Sequence, residues 1–116
     1  MPSPQLPNYL RCNRKRLALS QDEVAFLLGV QSGAKVCRDE RFVREPSLKT
    51  ALAYEAIFEK PARELFNGLY QEIEQEVVDR AKKLARKMDH LNPTRQNTRK
   101  LQVIAKIVGR SNATIN

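Results

Sequence analysis

The stretch Leu19-Ser20-Gln21-Asp22-Glu23-Val24-Ala25-Phe26-Leu27-Leu28-Gly29-Val30 decides how the rest of the chain is read. The Ser20 hydroxyl suits a helix N-cap, Glu23 stands at the third helical position where it closes a capping box, and Asp22 favours the positive helix end. The apolar run stops at Gly29, the residue type that most readily takes the left-handed conformation of a helix end. These signals predict a helix that runs to Leu28 and a turn at Gly29.

Outward from this stretch, every periodic segment has helical spacing, and no segment alternates apolar and polar residues long enough to form a strand. The chain therefore reads as all-α. Asn8 is placed to cap a first helix over about residues 9–17, with Tyr9, Leu10, Asn13 and Leu17 on one side. A third helix over about 33–40 is followed by the irregular Arg41-Phe42-Val43-Arg44-Glu45. Pro46-Ser47 opens a fourth helix that ends near Phe58. Pro61 begins a run carrying Leu65, Phe66, Leu69, Ile73, Val77, Ala81, Leu84, Met88 and Leu91, which Asn92-Pro93 ends. Asn67-Gly68 is the place where that run can kink or split. A last helix over about 98–108 places Leu101, Ile104, Ala105 and Val108 on one face, and the polar tail from Gly109 to Asn116 is expected to fray.

Composition narrows the function classes. A chain of 116 residues holds one domain and a small appendage. The longest apolar stretch, Val24 to Leu28, falls far short of the roughly 20 residues of a membrane span. Met1-Pro2-Ser3-Pro4 opens without the basic cluster and apolar run of a secretory signal, so the expected compartment is the cytoplasm and no membrane is involved. Two cysteines and one histidine make neither a disulfide framework nor a four-ligand zinc site, so no metal or cofactor is expected. Cys12 and Cys37 read as inert thiols, and His90 as a polar residue in a last helical turn. With neither a glycine-rich phosphate loop nor a Gly-x-Ser-x-Gly elbow, the chain is not expected to be an enzyme.

Charge points elsewhere. The net +8 divides into +3 over residues 1–68, zero over 69–91 and +5 over 92–116. Arg11, Arg14, Lys15 and Arg16 crowd together, and Arg38, Arg41 and Arg44 recur every third residue. Clustered cations suggest a polyanion partner, because each neutralised phosphate releases condensed counterions. A solvated basic face without a ligand is the plain alternative.

From Leu19 to Pro46 the sequence resembles the Cro/repressor-like helix-turn-helix family, also called the Xre family. The residues that carry the resemblance are Arg14, Leu19-Ser20-Gln21, Ala25, Leu28-Gly29-Val30, Val36, Arg38, Glu40, Arg44 and Pro46-Ser47-Leu48, with Pro61 to Phe66 matching the family's usual end. Ala25 is small where the two helices cross, Gly29 makes the turn, and Val36 plugs the second helix into the core. The resemblance covers about half the chain and implies a five-helix lambda-repressor-like DNA-binding domain over residues 8–68. A helical extension over 69–110 and flexible ends at 1–7 and 111–116 complete the expected organisation.

The same resemblance implies site roles. Gln31, Ser32, Lys35 and Arg38 would face the major groove, where Lys or Arg can pair with guanine and Gln with adenine. Lys35 is the leading base reader, with a solvated or phosphate-bound lysine as its alternative; Arg38 can face base, phosphate or protein. Gln21, Arg44, Ser47 and Lys49 are phosphate candidates, the last two through the backbone at a helix start. Arg14 and Glu40 match an internal salt bridge of many relatives. One residue more than usual separates Gly29 from Val36, which implies a longer loop at Gln31-Ser32-Gly33, and Asp39 brings an acid that suits a phosphate surface poorly.

The expected function is sequence-specific binding of double-stranded DNA by a transcriptional regulator, a repressor acting as a homodimer. Ile73, Val77, Leu84, Leu101, Ile104 and Val108 are assigned to dimerisation, because they present more apolar surface than helices outside a small core hide alone. Two alternatives stay open: an antitoxin-type autorepressor that binds a toxin through its C-terminal helices, and a protein-interaction adaptor that does not bind DNA.

Overall fold

The computed structural model of the chain describes residues 7–113, with side chains through Arg110. Of the ends expected to be flexible, 1–7 and 111–116, residues 1–6 and 114–116 lie outside the described residues, and 111–113 are instead part of the last helix. All regular structure among the described residues is helical: α1 Leu10–Arg16, α2 Gln21–Leu28, α3 Gly33–Glu40, α4 Leu48–Phe58, α5 Ala62–Leu65, α6 Asn67–Lys87 and α7 Arg95–Ala113. None of these helices is long and apolar enough to cross a membrane.

Local chemistry accounts for the helix limits. Ser20 Oγ accepts the Glu23 N–H at 3.0 Å while Glu23 Oε1 accepts the Ser20 N–H at 2.8 Å, a complete capping box. Gly29 closes α2 at φ 79, and Val30 N–H donates back to Ala25 O at 3.0 Å. Ser47 Oγ caps α4 by accepting from Thr50 N–H, and Glu59 ends that helix in the left-handed region at φ 55.

The chain divides into two compact units, residues 1–70 and 71–116. In the first, Leu10, Val24, Ala25, Val36, Tyr54, Phe58, Leu65 and Phe66 form the buried core, and Leu69 packs against it. Phe66 supplies the reason that α5 and α6 are separate helices. Its ring meets Tyr54 edge-on with centroids 6.3 Å apart, and its backbone leaves the helical region at ψ 47 to bury it there. The break expected at Asn67-Gly68 thus falls one residue earlier.

In the second unit, Ala81, Met88 and Ile104 form a small core with Ala85, Ile107 and Val108 packed against it. Two expectations are corrected in this unit. The helix expected to run to Asn92 ends at Lys87, with Met88 turning into the core. The last helix starts earlier and ends later than 98–108: Thr94 Oγ1 accepts the Asn97 N–H at 3.0 Å and caps it, and the helix continues through Gly109 instead of fraying there.

Candidate nucleic-acid interface

α3 is held by one face. Gly33, Val36, Asp39 and Glu40 are buried, while Ala34, Arg38 and Arg41 are exposed, as expected when the residues of one helical side repeat every three or four positions. Gly33 permits the close approach of α2: a Cβ there would lie 2.6 Å from Asp22 Oδ1 and 3.0 Å from the Asp22 backbone nitrogen. Its N–H donates to Asp22 Oδ1 at 2.9 Å, so the carboxylate of Asp22 caps α3 from the neighbouring helix. The expected longer loop is corrected accordingly, because Gly33 is already the first residue of α3.

Glu40 is the hub of the underside. Arg14 Nε donates to Glu40 Oε2 at 2.6 Å, Arg14 Nη2 donates to Oε1 at 3.3 Å, and Gln21 Nε2 donates to Oε1 at 3.1 Å. Arg14 Nη1 also donates to Leu19 O at 3.0 Å, which joins α1, the α1–α2 connection and α3 in one cluster. The hydrogen bond to Glu40 raises the Arg14 pKa further and holds the guanidinium charged.

Asp39 does not face solvent as its sequence position suggested. It is buried, accepts the Tyr54 hydroxyl at 2.7 Å through Oδ2, and offers its backbone oxygen to Asn8 Nδ2 at 2.9 Å. Burial, then the hydrogen bond to Asp39, push the Tyr54 pKa well above the ordinary tyrosine value. Asn8 likewise serves more than its expected capping role, since its Oδ1 accepts Leu10 N–H while its amide ties α1 to the end of α3.

The residues assigned to nucleic-acid contact are distributed unevenly. Gln31, Ser32 and Arg38 are exposed, whereas Lys35 is half-buried and lies on the flank of α3 shared with Asp39, four positions on. Arg44, Ser47 and Lys49 are exposed. Ser47 Oγ is occupied by the α4 cap and by Thr50 Oγ1 at 3.0 Å. Gln21 is part-buried and commits one hydrogen of its side-chain NH₂ group to Glu40, while that group carries a second donor.

An open groove runs between α1 and α3 past the start of α2, lined by Arg11, Lys15, Gln21, Cys37 and Arg41 together with the Arg14–Glu40 pair. Arg11, Lys15 and Arg41 were not among the assigned site residues. The spacing of Arg11 with Lys15, and of Cys37 with Arg41, four apart in both helices, is the signal that places them on single faces. Cys12 and Cys37 are free thiols. No group of three or more His, Cys, Asp or Glu side chains that could hold a metal ion occurs among the described residues. Comparison with protein-family models, with curated proteins and with solved structures yields no match.

Proposed function

We propose that this chain is a transcriptional regulator that binds specific double-stranded DNA sequences, with α1–α5 acting as a lambda-repressor-like domain of the Xre type. In this reading α2 and α3 are the helix-turn-helix and α3 enters the major groove. One observation carries it: Arg38 stands exposed on the outer side of a short helix whose inner side is locked by Gly33, Val36, Asp39 and Glu40, beside the basic groove of Arg11, Lys15 and Arg41. A rigid helix with an outward arginine suits bidentate pairing with guanine O6 and N7, and neighbouring cations suit the flanking phosphates.

Arg38 is the principal base reader in this scheme, with Gln31 and Ser32 beside it at the start of α3. Lys35, on the half-buried flank, contributes at the edge. Arg11, Lys15, Arg41, Arg44 and Lys49 meet phosphates, joined by backbone N–H groups at the start of α4 and by the second amide hydrogen of Gln21. Contacts to phosphate set the register of the helix, and contacts to base edges choose the sequence. The regulator works by occluding polymerase, and a dimer spans half-sites about 34 Å apart, one turn of DNA.

The test is to select bound fragments from a random duplex pool with the full chain at low salt. The recovered fragments share a motif, and selection with Arg38→Ala loses preference at one position per half-site. A recovered pool as diverse as the input sinks the proposal.

A further inference from the structure

α6 carries an apolar stripe that the second unit leaves open. Ala81, Ala85 and Met88 belong to the core with Ile104, Ile107 and Val108. Next to that covered face, Ile73, Val77 and Leu84 stand 46%, 39% and 46% exposed. The stripe runs on into an open groove lined by Leu84, Met88, Leu91 and Val103.

The charges of α6 are sorted along its length. Glu72, Glu74, Glu76 and Asp79 all precede Arg80, Lys82, Lys83, Arg86 and Lys87 along the helix. At 100° per residue, Glu72, Glu76, Lys83 and Lys87 fall on one flank of the open stripe, and the covered face forms the other flank. When two helices pack antiparallel with their stripes facing, like flanks meet; when they pack parallel, opposite flanks meet. Only the antiparallel arrangement therefore brings these acids and bases together.

We infer that the open stripe of α6 is the docking surface for a second copy of this chain, packed antiparallel, with Glu72 and Glu76 of each copy facing Lys87 and Lys83 of the other. Val77 then sits against Leu84 of the second copy, and Ile73 enters its groove at Leu84, Leu91 and Val103. Arg80 lies near the two-fold axis, its charge held by Glu76 of its own helix at 4.0 Å. The arrangement deepens the proposed function by specifying the dimer, but its argument uses the second unit alone and its test contains no DNA. Loss of the dimer would leave the fragment selection to decide DNA binding separately.

The experiment is sedimentation equilibrium of the full chain and three variants, with circular dichroism to verify helix content. The wild type is expected to be dimeric at about 50 μM, an ordinary working concentration. Glu72→Lys with Glu76→Lys should weaken dimerisation by about tenfold or more, as exposed pairs are lost and like charges meet. Adding Lys83→Glu and Lys87→Glu to the same chain reverses both halves of the helix and should restore the wild-type constant. Glu59→Lys with Glu64→Lys, exposed positions of the first unit, raises net charge equally and should leave dimerisation near the wild-type value. A monomeric wild type, an unaffected first variant, a fourfold variant that stays dissociated, or equal weakening in the charge control each overturns the inference.

Discussion

Arg14 illustrates how much of this fold hangs on single polar side chains. Its guanidinium and its partner Glu40 are 12% and 5% exposed, so removing one partner leaves the other charge short of compensation in a low-dielectric setting. Arg14→Met should cost about 1 to 3 kcal/mol by urea denaturation, the scale of leaving a charged acceptor without its hydrogen-bond donor at a part-buried site. An equal loss in Arg14→Met and in the double variant Arg14→Met with Glu40→Met would mean that the orphaned carboxylate is not the source. The Tyr54–Asp39 bond makes a second prediction. Tyr54→Phe leaves a buried carboxylate oxygen without this donor and should cost about 1 to 3 kcal/mol. Because the fold raises the Tyr54 pKa, stability is fully present below the unfolded tyrosine value of about 10 and declines as pH rises above it. Thermal melts of the wild type between about pH 9 and 11 should show that decline, and Tyr54→Phe should lack this component.

At the scale of elements, the α2–turn–α3 pair is specified by complementary devices. The Ser20–Glu23 capping box starts α2, Gly29 ends it, and Gly33 lets α3 lie close enough for Asp22 to cap it. Gly33→Ala should destabilise the first unit by about 1 to 3 kcal/mol despite the higher helix propensity of alanine, because the new methyl meets the backbone of α2. A stabilised variant in a denaturant titration would contradict the packing. The orientation of α3 also ranks the base readers proposed for it. Arg38→Ala should lower affinity for the selected duplex by about 1 to 3 kcal/mol while leaving scrambled DNA nearly unaffected. Lys35→Ala should do less; competition binding with both duplexes separates the two, and a larger effect at Lys35 would reverse the ranking proposed for α3.

For the whole molecule, the division near Tyr70 and the basic groove lead to further tests. If about four phosphate contacts form, affinity for the selected duplex should fall about a hundredfold between about 50 and 200 mM salt. A flat response in a fluorescence titration would remove the phosphate contacts. A fragment ending at Tyr70 retains Leu69, which packs on the first core, and should fold with the motif preference of the full chain but lower affinity. The second unit also corrects the assigned dimer surface. Ile104 is 8% exposed and Val108 is partly buried, both packed into the unit's own core, so most of their surface is already taken up within the chain. Ile73, Val77 and Leu84 are open, as is Leu101 at 40% exposure.

Local signals by themselves determined the all-helical class and most helix starts and stops, because capping and turn chemistry act over a few neighbouring residues. Ser20, Gly29, Ser47 and Pro61 each mark a limit that the structure retains within about one residue. The family resemblance also placed Ala25 and Val36 inside, where both are buried. Helix periodicity did not reveal which side of an apolar run would be covered: Phe26, in the middle of the α2 run, is 83% exposed. Nor could it place Asp39, whose partner Tyr54 lies fifteen residues away, or show that Asp22 caps α3 eleven residues on. The basic groove needed α1 and α3 side by side, and the open stripe of α6 needed α7 to cover the adjacent face. Those features depend on which surfaces meet, and only the tertiary structure decides which apolar faces are consumed within the chain and which charges keep their partners inside it.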